Sequence, residues 1–235
     1  MLEIIEDIDG LFRLEKIWRK LEASEHICVF QTYLWCYVTW ETFLAQNPHN
    51  QLWILHWSND SEDIILPTYI DSQGMLRFIY DTDSDVCDGL YHEGRNHNLA
   101  YYEMQKSIQA EKRIKQVWFQ KLRGDSEVLN NLGVLLRGGI IFKDNAFSWL
   151  LVEPSSDFIA SQRHMKSKDR ADLKCMRRQV SKYNLHIASA QTNDNFPAKE
   201  LLELGEAMRK AGKRDDFYFR QDSIDFTRKI YDNGG

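Results

Sequence analysis

The sequence has few of the features that mark disulfide-rich, zinc-binding or membrane-spanning proteins. It has four cysteines in 235 residues, and none lies close enough to another for a CxxC pair or a zinc-finger spacing. The longest strictly apolar run is a few residues, far short of the roughly 20 that cross a bilayer. The acidic N-terminus is unlike a signal peptide. These absences predict a globular, cytoplasmic protein with reduced cysteines.

A large excess of charge of one sign is absent as well. The net charge is −5, with 28% charged and 43% hydrophobic residues. This composition is typical of globular domains and excludes disordered, collagen-like and coiled-coil chains. The acidic balance argues against a general nucleic-acid binder. The seven histidines show no HxxxH or HExxH spacing, so the sequence predicts no metal site.

Hydrophobic periodicity predicts helices inserted into a mixed, mostly antiparallel sheet over residues 1–154, an α+β arrangement. Pro67 inside one strand-like run suggests an edge strand or a bulge. Thr32 is a candidate N-cap. The predicted helices are 12–23, 33–44, 98–111 and 126–136. The predicted strands are 27–30, 51–57, 63–70, 75–80, 86–91, 114–122, 139–142 and 146–152. The element order is β, α, α, β, β, β, α, β, α, β, β.

A break at 153–156 predicts a domain boundary, with one domain over 1–154 and another over 155–235. The second part begins with a long basic helix, 157–183. A strand over 185–190 and helices over 198–210 and 222–231 follow. The tail after residue 184 therefore repeats the opening order β, α, α and then ends.

Four segments, taken in order, resemble a known family. The segment 29–35 (VFQTYLW) is similar to an "FQS…W" motif, and 65–67 (ILP) to an "lPl" strand. The segment 83–88 (DSDVCD) resembles an "SDY.D" strand, and 167–178 (SKDRADLKCMRR) resembles a basic "skk.r..lrr..r" helix. These motifs belong to a bacterial group of GNAT-superfamily acyltransferases. That group is linked to cellulose and exopolysaccharide biosynthesis and is related to Fem-type peptidoglycan aminoacyl ligases.

The resemblance implies two GNAT-like domains in tandem, the second of which normally carries the acyl-donor site. Here the second domain would be incomplete, which predicts a truncated chain. Acetyl-CoA or another acyl-CoA is expected for the complete family fold, held at a helix N-terminus by backbone N–H groups. The usual Arg/Gln-x-x-Gly-x-Gly/Ala string is missing. In the equivalent place, 91–96 (YHEGRN), only the glycine matches, so we expect no cofactor in this chain.

The predicted function is that of a GNAT-like N-acyltransferase. The complete reaction would move an acyl group to an amine or hydroxyl of a cell-envelope or polysaccharide precursor. Because the donor machinery is missing, we expect little or no activity from the chain alone. The catalytic base is unknown. The alternative is a non-catalytic binding or scaffold module for an anionic partner. An incomplete sheet would leave strand edges unpaired, which favours self-association.

The basic helix is the clearest charge feature of the sequence. Residues 160–184 hold eight Lys or Arg and two Asp, a net charge of +6 that leaves −11 for the rest. This asymmetry indicates a surface for a small-molecule or nucleotide-linked anionic substrate. The candidate substrate-binding residues are Lys168, Arg170, Arg177 and Arg178. The alternative is a solvated helix face whose apolar side joins the core. Aromatic residues are not interleaved with these cations, which argues against nucleic acid.

Two weaker candidates lie elsewhere. The acidic string 81–85 (DTDSD) begins like a calcium loop, but Val86 replaces the required Gly and His92 the required Glu. An acidic loop with a structural role is the alternative to a polar substrate contact by Asp85 or Asp88. Arg214, in the charged loop 213–216, is the last candidate for substrate binding.

Overall fold

The computed structural model describes residues 1–23, 27–81, 84–92, 96–136, 167–180, 198–210 and 220–233. The chain divides into two compact units. The larger comprises Met1–Ile140 and Asp194–Gly235, and the smaller comprises Ile141–Asn193. The boundary predicted between residues 154 and 155 falls outside the described residues and stays a prediction.

The larger unit begins with β1 (Leu2–Ile5), α1 (Ile8–Glu22), a 3₁₀ turn (Val29–Gln31) and α2 (Tyr33–Thr39), which runs on as a π-helical turn (Trp40–Leu44). The strands that follow are β2 (Gln51–Leu52), β3 (Ile54–Ser58), β4 (Asp63–Leu66), β5 (Thr68–Ile70) and β6 (Met75–Phe78). After them come α3 (Asn98–Ala110), β7 (Gln116–Trp118), α4 (Glu127–Asn130) and α5 (Leu132–Leu135).

Three more helices complete the described chain. These are α6 (Ser167–Val180) in the smaller unit, and α7 (Ala198–Lys210) and α8 (Gln221–Asn233) in the larger one. The predicted helices 198–210 and 222–231 are confirmed, and the helix predicted over 157–183 is confirmed over the residues of α6. The predicted strands 139–142, 146–152 and 185–190 lie outside the described residues.

The strands form two sheets, in the orders β1-β3-β4 and β2-β5-β6-β7. One hairpin joins the two sheets, and each of its arms contributes a strand to both. The first arm changes sheet at Trp53, between β2 and β3, and the second arm at Pro67, between β4 and β5. Pro67 has no N–H to donate to the ladder, so the predicted strand 63–70 divides there. Beside the break, Thr68 Oγ1 donates a hydrogen bond of 2.5 Å to the Trp53 carbonyl, which keeps the two arms together.

The second sheet is mixed, as the sequence predicts. Strand β6 pairs antiparallel with β5 but parallel with β7, in the register Leu76↔Val117. A parallel neighbour needs a crossover connection, and α3 supplies it. Strands β1, β3 and β4 pair antiparallel throughout. The described fold is therefore mixed α and β, with antiparallel and mixed sheets and several flanking helices.

Local capping explains where the first helices begin. Asp7 caps α1, and its carboxylate accepts a hydrogen bond of 2.6 Å from the Gly10 N–H. Thr32 caps α2 by accepting from the Trp35 N–H, which confirms the predicted N-cap. Helix α1 packs against the sheets through Trp18, which is fully buried. Trp18 Nε1 donates a hydrogen bond of 2.9 Å to the Gln31 carbonyl.

Three predicted strands are wrong or reduced, and the one over 114–122 extends only over Gln116–Trp118. Residues 27–30 do not form a strand, because Val29–Gln31 makes a 3₁₀ turn. The turn is held by long-range contacts, since Gln31 Nε2 donates to the Gly89 carbonyl over 2.9 Å. The strand predicted over 86–91 is reduced to two isolated bridges, Ile65↔Leu90 and Cys87↔Leu122.

The last helix packs on the larger unit through aromatic side chains. The Phe226 ring of α8 lies 4.9 Å from the Trp35 ring and 5.3 Å from the Phe43 ring, measured between centroids. Lys229 Nζ lies 2.8 Å from Glu41 Oε2. Helix α8 is thereby part of the core of the larger unit.

Candidate functional site

The connection between β6 and α3 holds the acidic residues that the sequence singles out. Asp85 is exposed in this connection, whereas Asp88 is only 4% exposed. Asp88 Oδ1 accepts a hydrogen bond of 2.7 Å from Ser126 Oγ and one of 2.8 Å from the Gly89 N–H. The two aspartates therefore have different roles, because Asp85 faces solvent and Asp88 is bound inside the fold.

Burial dominates the electrostatics of Asp88. Desolvation raises the pKa of the Asp88 carboxyl to about 6, while the hydrogen bonds from Ser126, Gly89 and the Val128 N–H oppose that rise. A carboxyl in this range changes charge near physiological pH. Ser126 Oγ also accepts from the Leu129 N–H at 3.1 Å and so caps α4. Asp88 and Ser126 together fix the first turn of α4.

A second chain of polar side chains leads from Asp88 towards the N-terminus of α3. The Tyr91 hydroxyl lies 3.5 Å from Asp88 Oδ2 and accepts from the Glu127 N–H at 3.4 Å. Burial raises the pKa of Tyr91 above its usual value, which keeps the phenol neutral. Glu127 Oε1 then lies 3.1 Å from His97 Nδ1.

His97, the residue that precedes α3, lies between two carboxylates. Its side chain is 1% exposed, and its Nε2 is 3.7 Å from Glu62 Oε2. Glu62 lies in the turn between β3 and β4, and Glu127 in α4. Three separate elements therefore meet at this imidazole, and the charge around it is negative.

This geometry tests whether the described residues fit an acyl-CoA pyrophosphate. Such a group needs free backbone N–H groups and no negative charge beside them. At the start of α3, Asn96 Oδ1 already accepts from the Asn98 N–H at 3.0 Å, and Glu62 and Glu127 flank His97. Residues 93–95 lie outside the described part. The residues described at this helix end do not fit a pyrophosphate.

A third polar cluster fixes the turn that follows β6. Lys121 has a positive φ of 57°, a conformation that costs free energy for a residue with a side chain. Its Nζ donates to the Asp81 and Ser84 carbonyls at 2.9 and 2.6 Å. The Asp81 carboxylate is paired with Arg77 at 2.7 Å. Asp81 therefore acts as an internal partner, and the acidic string begins as a structural turn.

The sequence-predicted cations lie on α6. Lys168, Arg170 and Arg178 are exposed. The Arg177 side chain and the whole of Arg214 lie outside the described residues. Asp85 belongs to the larger unit and α6 to the smaller one. Substrate binding by these six residues stays a prediction.

A shallow groove of about 360 Å³ lies between the π-helical turn and α8. Its lining includes Glu41, Asp222, Asp225 and Lys229. Several of these charges are used within the protein, since Lys229 pairs with Glu41 and Asp222 with Arg220. The Lys229–Glu41 pair joins α8 to the π-helical turn beside this groove, a contact that the sequence does not predict.

The described ranges contain neither a cluster of metal ligands nor a membrane-spanning helix. No three His, Cys, Asp or Glu side chains there come together as metal ligands. None of the helices in those ranges combines the length and apolar character needed to cross a membrane.

Comparison with known proteins gives no relative. No protein-family profile matches the chain, and no curated protein and no solved structure matches it.

Proposed function

We propose that the chain is a GNAT-like protein that acts on the acceptor side of an acyl transfer to a cell-envelope or polysaccharide precursor. One observation carries the proposal. The first hairpin arm (β2 and β3) and the second (β4 and β5) are each counted as one strand. From β1 to α4 the larger unit then has the element order β, α, α, β, β, β, α, β, α. The sequence analysis gives the same element order, although the first strand is Leu2–Ile5 and not the predicted 27–30. Element order and motifs are therefore the two supports for the proposed family.

The acyl donor is not held by the larger unit in this proposal. The place that would cradle a pyrophosphate, at the start of α3, has Glu62 and Glu127 beside His97. Carboxylates repel a pyrophosphate, and a helix N-terminus alone contributes too little to overcome two of them. The larger unit therefore serves as a scaffold.

The acceptor is bound through cations in this proposal. Lys168, Arg170 and Arg178 are exposed on α6, and guanidinium groups bind phosphates and carboxylates with two parallel hydrogen bonds. An anionic or nucleotide-linked precursor is the substrate class that such a surface suits.

A transfer assay tests the proposal. The purified chain is incubated with acetyl-CoA and a panel of amine and hydroxyl acceptors, and CoA release is followed by chromatography. We expect no release above the rate without protein. Sustained CoA release that depends on an acceptor would mean that this chain holds the donor, and the proposal would be abandoned.

A second candidate is a binding module without any part in acyl transfer. The observation in its favour is that the hydrogen bonds of Asp88, Ser126 and Tyr91 hold α4 in place. Such groups stabilise a scaffold and need no substrate. The two candidates differ in the anions they bind, because a general binding module would not distinguish a nucleotide-linked precursor from other anions of the same charge.

A further inference from the structure

A buried histidine lies between two carboxylates in the first sheet. His56, in the middle of β3, has a side chain that is 6% exposed. Its Nε2 lies 3.0 Å from Asp63 Oδ1 of β4, and its Nδ1 lies 3.8 Å from Glu3 Oε2 of β1. Both neighbouring strands therefore present a carboxylate to the same imidazole.

The sheet register places these three side chains on one face. Glu3 is paired with His56 across β1 and β3, and Ile65 of β4 is paired with His56 from the other side. Asp63 is two residues before Ile65, and residues two apart on a strand point to the same face. The contacts therefore follow from the register of the sheet.

The helices that pack on this sheet use their charges elsewhere. Helix α3 packs on β1 and β3, and its Glu103 accepts a hydrogen bond of 2.7 Å from Trp57 Nε1. Trp57 follows His56 on β3 and so points to the opposite face. Helix α1 packs on β4, and its Arg19 pairs with Glu15 of the same helix. Within the described residues, no hydrogen bond or ion pair joins His56 to either helix.

The charge of the ring decides whether both contacts are attractive. A neutral imidazole has one N–H donor and one acceptor nitrogen. When Nε2 donates to Asp63, a neutral His56 turns the lone pair of Nδ1 towards the Glu3 carboxylate, which is repulsive. An imidazolium has a donor at both nitrogens and attracts both carboxylates. Histidine side chains ordinarily change charge between about pH 5 and 8.

Strand β1 is the element that the Glu3 contact holds. It lies at one end of the sheet order β1-β3-β4 and pairs with β3 alone among the described strands. Its two ends have contacts of their own, because the Met1 ammonium lies at the Ser58 carbonyl and Glu6 pairs with Arg113 at 2.5 Å. Arginine keeps its charge at every pH of interest, so the Glu6 pair is a reference that does not change with pH.

We propose that Glu3, His56 and Asp63 form a pH-sensitive latch for the N-terminal strand. At pH 5.5 the imidazolium attracts Glu3 and closes β1 onto β3. Towards pH 7.5 the neutral ring repels Glu3, and β1 opens more often. Because the proton strengthens the closed state, the strand is held most firmly at low pH. Each opening bares the backbone N–H and C=O groups at one edge of β3, where another strand can pair. The latch is independent of the proposed function.

Amide hydrogen exchange of the full chain tests the latch. Protection factors of Leu2–Ile5 are measured at pH 5.5 and 7.5 and divided by those of β6, so that changes in global stability cancel. Glu3→Gln removes the carboxylate at a side chain that is 58% exposed, so the fold is preserved. Glu6→Gln is the matched control, because it removes the same charge from the same segment but its partner Arg113 does not titrate.

We expect the relative protection of β1 to fall about threefold from pH 5.5 to 7.5 in the unmodified chain, the size of a partly exposed ion pair. In Glu3→Gln the change should be less than about 1.5-fold. Glu6→Gln should lower the protection at both pH values and keep the threefold change. His56→Gln should lose the change, and Glu3→Gln decides the question even if the buried substitution disrupts the sheet.

Two results would overturn the inference. One is a relative protection of β1 that does not change with pH in the unmodified chain. The other is a pH-dependent change that Glu3→Gln retains in full. The Met1 ammonium, which belongs to a class of groups that lose their proton near pH 8, would then be the cause in place of His56.

Discussion

Ser126 Oγ donates a hydrogen bond of 2.7 Å to Asp88 Oδ1, although 38 residues separate the two in sequence. The bond joins the segment after β6 to the first turn of α4. It also keeps a charged group inside the fold, because a buried carboxylate needs hydrogen bonds to offset its lost hydration. The pair is linked to the polar network beside α3 through the Tyr91 hydroxyl, which lies 3.5 Å from Asp88 Oδ2.

The first prediction concerns the pH dependence of stability. The pKa of Asp88 rises from 3.8 to about 6 on folding. A raised folded-state pKa contributes stability that is full below pH 3.8 and is lost as pH rises through 6. Relative to Asp88→Asn, the unmodified chain should lose about 3 kcal/mol of unfolding free energy between pH 3.5 and 7.

Urea unfolding of both proteins across this pH range measures the difference. The variant removes the titrating group but keeps a similar shape, so it serves as the reference for all the other carboxylates. A difference between the two proteins that stays constant with pH would show that Asp88 is not desolvated in the folded state.

The second prediction concerns Ser126, the hydrogen-bond partner of Asp88. Ser126→Ala deletes both the cap of α4 and the donor to Asp88, and should cost about 1–3 kcal/mol at pH 7. Because the Ser126 hydrogen bond lowers the pKa of Asp88, its loss should move the pH-dependent window upward. Ser61→Ala, in the turn between β3 and β4, is the matched control and should change stability by less than about 0.5 kcal/mol. Equal losses from the two variants would contradict this account.

The third prediction concerns the turn before β6. Gly74 has a φ of +84°, and a Cβ added there would lie 2.7 Å from the Arg113 carbonyl oxygen. Gly74→Ala should therefore lower the melting temperature, with a cost of at least about 1 kcal/mol. At Gly124 an added Cβ meets no atom within 4 Å, and Gly124→Ala should be neutral or slightly stabilising. The thermal unfolding of the two variants checks this contrast.

The fourth prediction concerns α8. Phe226 is 8% exposed and packs on Trp35 and Phe43. Phe226→Ala should cost about 3 kcal/mol and release Gln221–Asn233 to rapid amide exchange. Leu204→Ala, at a 49% exposed position on α7, should leave exchange in α8 unchanged. Unaltered protection of α8 in Phe226→Ala would mean that the ring contacts do not hold the helix.

Sequence reasoning succeeded where the cause is local. Thr32 could be identified as a cap because its hydroxyl bonds within one turn. Pro67 was identified as an irregular position, but the sequence predicted an edge or a bulge there, whereas the strand divides between two sheets. The boundaries of α3 and α7 follow from helical periodicity, which depends on residues within a few positions.

Sequence reasoning failed where contacts between residues far apart in the sequence determine the local structure. The β-branched Ile27 and Val29 favour a strand, but Gln31 bonds to Gly89 and to Cys28 and makes a 3₁₀ turn instead. His97 could not be identified as a site residue, because its partners Glu62 and Glu127 lie 30 or more residues away. Spacing along the chain contains no signal for such a cluster.

The central claim is that the larger unit does not hold an acyl donor at α3. Calorimetric titration with acetyl-CoA tests it most directly. Because acetyl-CoA contains a diphosphate, the titration uses a folded variant in which Lys168, Arg170 and Arg178 are replaced by Gln, so that these exposed candidate residues of α6 cannot bind it. The account predicts no heat of binding. A saturable heat at one-to-one stoichiometry would contradict it, because a working donor site would then exist away from these three cations.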